Sequence, residues 1–164
     1  AILSGSCSVA TRAQLAEYAH DNPVLEITAA DVMNGVMTAE HVSQWLLSQE
    51  GIPLAYSSAD PETVKVAQAA YGTEASAEAI ENLFAEVSRQ LVAGGVNRLI
   101  VAGGETSGAV VEGLGINTMA MGPEIDPGVP AMRASESLVI ALKSGNFGAP
   151  DFFTKAANVL AQGA

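Results

Sequence analysis

The sequence predicts an α/β fold: a three-layer sandwich with a largely parallel or mixed sheet and helices on both faces. Three observations predict it. Short apolar runs alternate with segments of helical periodicity along the 164 residues. Three of those runs end in glycine-rich loops. Almost half the residues are apolar (49%) and only 15% are charged, as expected for a folded chain with a substantial core. The length fits one domain, spanning 1–164, that buries on the order of 70% of its unfolded surface.

Taken in order, Ala1-Ile2-Leu3 reads as a strand end, followed by the loop Ser4-Gly5-Ser6-Cys7-Ser8. Ser8 is placed to cap a helix from Val9 to about Asp21, which Pro23 ends. Val24 to Ile27 is a second strand. Thr38 caps a helix carrying Val42, Trp45 and Leu46 until Gly51. Ile52 to Tyr56 is a third strand, and Pro53 marks its start or an edge position. Asp60-Pro61 is a helix start, an N-cap residue followed by proline at the first helical position. That helix presents Val64, Ala67 and Tyr71 on one face. After Ser76, Ile80, Leu83, Phe84, Val87 and Leu91 fall at helical spacing as far as Gly94-Gly95. Leu99 to Ala102 is the best buried strand. The loop Gly103-Gly104-Glu105-Thr106-Ser107-Gly108 then leads into a short helix ending near Gly115. Asn117 to Met121 and Leu138 to Leu142 are further strands, separated by an irregular stretch from Gly122 to Ser135. A third loop, Ser144-Gly145-Asn146-Phe147-Gly148, precedes a last helix with Phe153, Ala156, Ala157 and Leu160 inside.

The formal charge of −11 argues against nucleic acid and anionic membranes as partners, since both call for clustered basic residues. No apolar run reaches the ~20 residues of a membrane span. A single cysteine fits a reducing cytoplasm. The chain opens without Met on apolar residues and so reads as the C-terminal piece of a longer protein, its partner domain lying on the N-terminal side.

In open α/β sheets ligands bind beyond the carboxyl ends of the strands, where the three loops gather. Glycine lets backbone N–H groups approach a ligand closely, and the helix that follows adds its own free N–H groups. That equipment suits a phosphate. Tight turns and helix caps are the plain alternative for each loop alone; three in one small domain favour the ligand. A P-loop lysine motif is missing, and the glycine order is wrong for a dinucleotide fingerprint. Lys143 directly precedes the third loop and is a candidate to meet a phosphate, but a lone lysine at a strand end more often reads as solvated. Cys7 reads as a small packed residue without a base beside it. Glu105, Glu124 and Asp126 are the candidates for Mg²⁺, each otherwise a surface carboxylate. His20 and His41 lack partners at zinc-ligand spacing, and no serine sits in a nucleophile elbow.

The loops in this order resemble the C-terminal nucleotide-binding domain of the four-carbon acid sugar kinases. The resemblance rests on Leu3-Ser4-Gly5-Ser6-Cys7-Ser8, Val101 to Gly108, Gly122 to Pro130, and Leu142 to Gly148 with Asp151-Phe152-Phe153 behind. It implies ATP-dependent phosphorylation of a terminal hydroxyl on a sugar acid such as threonate, erythronate or 3-oxo-tetronate, with Mg²⁺. It implies ATP contacts at Ser4, Gly5 and Ser6, at Gly103, Gly104, Glu105 and Thr106, and at Gly145. The sugar acid would bind an N-terminal domain outside this chain, so the chain alone is expected to be inactive. Arg133 is the arginine expected to face the cleft between the two domains, with Arg98 at the opposite end. A non-catalytic nucleotide or small-ligand module and a dinucleotide-dependent oxidoreductase domain are the competing readings.

Overall fold

The computed structural model describes residues 1–57 and 61–163. Its first half runs β1 (Ile2–Ser4), α1 (Val9–Tyr18), β2 (Val24–Ile27), α2 (Ala29–Met33), α3 (Ala39–Ser48), β3 (Leu54–Ser57) and α4 (Pro61–Tyr71). Its second half runs α5 (Thr73–Ala93), β4 (Arg98–Ala102), α6 (Gly104–Gly113), β5 (Ala120–Asp126), β6 (Val129–Arg133), β7 (Val139–Lys143) and α7 (Phe152–Ala161).

The strands form one seven-stranded sheet in the order β2-β3-β1-β4-β7-β6-β5. From β2 to β7 all neighbours are parallel; β6 and β5 close one side antiparallel. The sheet is therefore mostly parallel and mixed, with helices on both faces, as the sequence predicts.

Parallel strands covered on both faces read as continuous apolar runs, and the alternation of side chains then divides each run between two cores. In β4, Leu99 and Val101 join the core under α3, α5 and α6, together with Phe84, Val87 and Leu91. Ile100 and Ala102 point the other way, to Tyr18 of α1 and Phe152, Phe153 and Leu160 of α7. β1 and β3 divide likewise, with Leu3 and Ala55 on the first side and Ile2 and Leu54 on the second. Each such fully buried large side chain contributes about 1.5–3 kcal/mol.

The hydroxyls of Ser8, Thr28 and Thr38 each accept the N–H three residues on, capping α1, α2 and α3. The Asp60 cap expected for α4 lies outside the described residues. Other boundaries shift by a few residues: α1 stops at Tyr18, α5 begins at Thr73, and β3 begins only after Pro53. β3 lies between β2 and β1, so Pro53 marks a strand start, not an edge.

Two larger differences matter. The helix α2 falls where no element was expected, because five residues are too short to show a period. The stretch from Gly122 to Ser135 is not irregular: most of it is the β5–β6 hairpin, turning at Gly128 with φ +80°. Its prolines are accommodated: Pro123 lies in the edge strand β5 within its register shifts, Pro127 in the turn, and Pro130 at the start of β6 before the pairing with β7 begins. No helix among the described residues is long and apolar enough to cross a membrane.

Candidate functional site

The chain leaves β1 for α1 on one face of the sheet and leaves the adjacent β4 for α6 on the other. Neighbouring parallel strands whose helices depart in opposite directions open a crevice at their carboxyl ends. The three glycine-rich segments meet there. Gly5 N–H donates to the Ala102 carbonyl (2.9 Å) and Gly103 N–H to the Lys143 carbonyl (2.8 Å), so the strand ends of β1, β4 and β7 are tied in series.

Contact between the loops is tight. A Cβ on Gly5 would lie 1.9 Å from Thr106 Oγ1, and one on Gly145 would lie 2.6 Å from Ser6 Oγ. Gly103 has φ +119° and leaves 3.2 Å between its would-be Cβ and Ser6 N, a conformation that favours glycine. Ser4 closes β1 and is 1% exposed, so it lies beneath the crevice.

The second glycine-rich segment is largely helical. Helix α6 begins at Gly104, and its first internal bond runs from Ser107 N–H to the Gly103 carbonyl. The N–H groups of Gly104, Glu105 and Thr106 have no partner among the described residues. They form the open N-terminus of the helix, which carries about +0.5 charge. Gly104 is exposed and has nothing within 4 Å of a would-be Cβ. Thr106 is buried, and Glu105 is exposed on the first turn.

The third loop is held from below by Ser8, singled out in the sequence only as a cap and loop residue, and by Thr11 and Gln14, which the sequence did not single out. Ser8, Thr11 and Gln14 lie three residues apart along α1, and all three reach it. Ser8 and Thr11 donate their hydroxyls to the Gly145 carbonyl. The Gln14 amide donates to the carbonyls of Phe147, Gly148 and Ala149 at 2.9, 2.9 and 3.1 Å. This polar stripe, on a face where an amphipathic helix would show apolar residues, was the available signal.

Lys143 is not solvated as expected; it is fully buried. Its ammonium donates to Thr11 Oγ1 (2.8 Å), the Gly145 carbonyl (3.0 Å) and the Ser144 carbonyl (3.2 Å). Burial pushes its pKa down to about 8. Its place at the buried end of a central strand explains why exposure was the wrong expectation. Cys7 departs in the other direction: it is exposed, not packed.

The hairpin braces the same loop. Asp126 accepts the Ala149 N–H (2.8 Å) and pairs with Lys155 of α7. Burial pushes the Asp126 carboxyl up, but the hydrogen bonds from Lys155 and Ala149 outweigh it and hold the pKa below its ordinary value. Glu124 accepts the Gly128 N–H across the turn (2.8 Å). Two of the three carboxylates expected for Mg²⁺ are therefore engaged in holding the fold, while Glu105 is exposed on α6. No group of three metal-ligating side chains occurs among the described residues.

Beside the crevice lies a cleft of about 320 Å³, lined among others by Gly5, Cys7, Ala67, Ile80, Glu105 and Thr106. Glu81 also lines it. Burial, then the charges of Glu105 and Glu78, raise the pKa of Glu81. Arg133 does not face this region. It shares a concavity with Arg98 and Glu136 at the opposite ends of the strands, because β6 runs antiparallel to β7 and pairs Arg133 with Val139.

Residues 1–153 match the family described as "Nucleotide-binding C-terminal domain". Among curated proteins, the 3-oxo-tetronate kinase of Brucella melitensis is 43% identical over 165 residues, covering 98% of this chain and 38% of the relative. The 3-oxo-tetronate kinase of Pseudomonas savastanoi pv. phaseolicola is 44% identical over 163 residues, with the same coverage. Among solved structures, a Haemophilus influenzae protein of family DUF1537 superposes with a TM-score of 0.89 at 38% identity, over 96% of this chain and 39% of that one. The chain thus spans well under half the length of these relatives.

Proposed function

The chain belongs to the family of nucleotide-binding C-terminal domains, and on that premise we propose that it binds the phosphates of ATP in the crevice between β1, β4 and β7. The observation that carries the reading is the meeting of three glycine-rich segments around an unpartnered helix N-terminus. In this reading the N–H groups of Gly104, Glu105 and Thr106 receive phosphate oxygens. Gly5, Ser6 and Gly145 wall the site, Ser4 supports it from beneath, and Gly103 sets the turn into α6. The nucleoside extends along the adjacent cleft. Mg²⁺ arrives on the phosphates, with Glu105 as the protein carboxylate nearest this role.

As part of a full-length kinase, the domain would present ATP to a four-carbon sugar acid held by an N-terminal domain. The names of the relatives support this substrate class, and a cytoplasmic enzyme fits it. Phosphoryl transfer relies on positioning and charge stabilisation, which backbone donors can supply. It also needs a closed cleft that aligns both substrates and excludes water. Neither Arg98 nor Arg133 lies at the loop end to hold a sugar carboxylate.

The chain alone should therefore form no phosphorylated product from 3-oxo-tetronate, threonate or erythronate with Mg-ATP. Adding the N-terminal domain in trans should restore it. Product made at the full rate by the chain alone would refute this division of labour.

A further inference from the structure

The nucleotide reading leaves one buried group without a role: Lys143, whose ammonium has no carboxylate partner among the described residues. We propose that Lys143 is a positioning residue for the phosphate site, its ammonium holding the Gly145 carbonyl inward so that the Asn146 N–H faces the phosphates. The inference rests on the proposed ATP site and deepens it.

Three donors converge on one carbonyl: Lys143 Nζ, Thr11 Oγ1 and Ser8 Oγ all reach Gly145 O. A peptide is planar, and no peptide here is cis, so the N–H on the far side of that group points the opposite way. That N–H belongs to Asn146, which is exposed and donates to nothing among the described residues. Gly145 itself lies against Ser6, on the crevice side of the loop.

A cation is suited to this task. Its three protons match three acceptors, Gly145 O, Ser144 O and Thr11 Oγ1. Its charge also lies in a low-dielectric setting directly beneath the site, where it favours an anionic ligand. The Phe152 ring lies beside it, its centroid 5.8 Å from Nζ. Among the described residues no charged side chain bonds to it. On the elements around β7, Arg12 and Glu17 of α1 and Glu105 and Glu112 of α6 are exposed. Lys155 pairs with both Asp126 and Asp151, and Arg98 and Arg133 lie at the far strand ends.

The test is ATP affinity by calorimetry across pH. The range runs from about pH 7.5 to about pH 9.5, above the ~6 ionisation of a phosphate. The lysine pKa, depressed to about 8, puts the charged form in place at the low end and removes it at the high end. A bound phosphate favours the charged form, so affinity should be full at the low end and fall by about threefold or more as pH rises. Lys143→Met fills the same space without the charge. It should bind roughly tenfold or more weakly at the low end and show no fall with pH, while its far-ultraviolet circular dichroism stays that of the parent.

A flat profile in the parent protein would overturn the proposal without any variant being needed. So would a Lys143→Met protein with parental affinity and pH profile. No ATP binding by the parent at any pH would instead overturn the nucleotide reading on which the proposal rests.

Discussion

Gly104→Val should lower ATP affinity by roughly tenfold or more and shift the melting temperature by no more than about 2 °C. The position begins α6, has no positive φ, and offers open space to a side chain. A Cβ there meets nothing within 4 Å in the protein. It occupies the space in which a phosphate must come close to the first N–H groups of the helix. Each hydrogen bond to a charged group is worth about 1.5–3 kcal/mol, so blocking one accounts for the predicted loss. Gly103→Val is the contrast. Its φ of +119° and its backbone neighbours at 3.2–3.3 Å make that change costly to the fold itself, by about 1–3 kcal/mol. Calorimetry and thermal melts on both variants separate a ligand contact from a backbone requirement. Unchanged affinity in a folded Gly104→Val protein would mean that the N-terminus of α6 does not meet the ligand.

Gly5→Ala should damage both stability and binding. One methyl group would sit 1.9 Å from Thr106 Oγ1 and 3.1 Å from its Cβ. Thr106 is buried on α6, so the first loop and the helix must move apart. Overpacking of this kind costs about 1–3 kcal/mol, a fall of about 3–10 °C in melting temperature for a domain of this size. The displaced loop would no longer face the helix N-terminus, and ATP affinity should fall by roughly a hundredfold, about 2.7 kcal/mol. Thr106→Ala in the Gly5→Ala background removes the Oγ1 that the new methyl group meets and should recover part of the lost stability. A Gly5→Ala variant with parental melting and affinity would show that the loop and α6 are not held in register by this contact.

The sequence made the central strands legible because they are buried on both faces: Leu99 to Ala102 is a continuous apolar run whose side chains alternate between two cores. The long period of α5 and the hydroxyl caps of α1 and α3 were legible for equally local reasons. The hairpin was not. Pro123, Pro127 and Pro130 argue against strands, and only the tertiary arrangement accommodates them: Pro123 lies in the edge strand β5, Pro127 in the turn, and Pro130 at the start of β6 before its pairing with β7 begins. The site was legible as a set of glycines, since close packing of Gly5, Gly103 and Gly145 needs residues without a Cβ. Which glycine does what was not: the positive φ belongs to Gly103, and Gly104 is the open one. Lys143 was misread because a lone cation carries no sign of burial in sequence, and the acceptors that satisfy it are the backbone carbonyls of the next two residues and a threonine from a distant helix.

The central claim is that this crevice binds the phosphates of ATP. Titration of the chain with Mg-ATP, AMP and NAD in parallel tests it most directly. The account predicts weak, saturable binding of Mg-ATP, weaker binding of AMP for want of the outer phosphates, and no preference for NAD. Tight NAD binding with no response to ATP would contradict it.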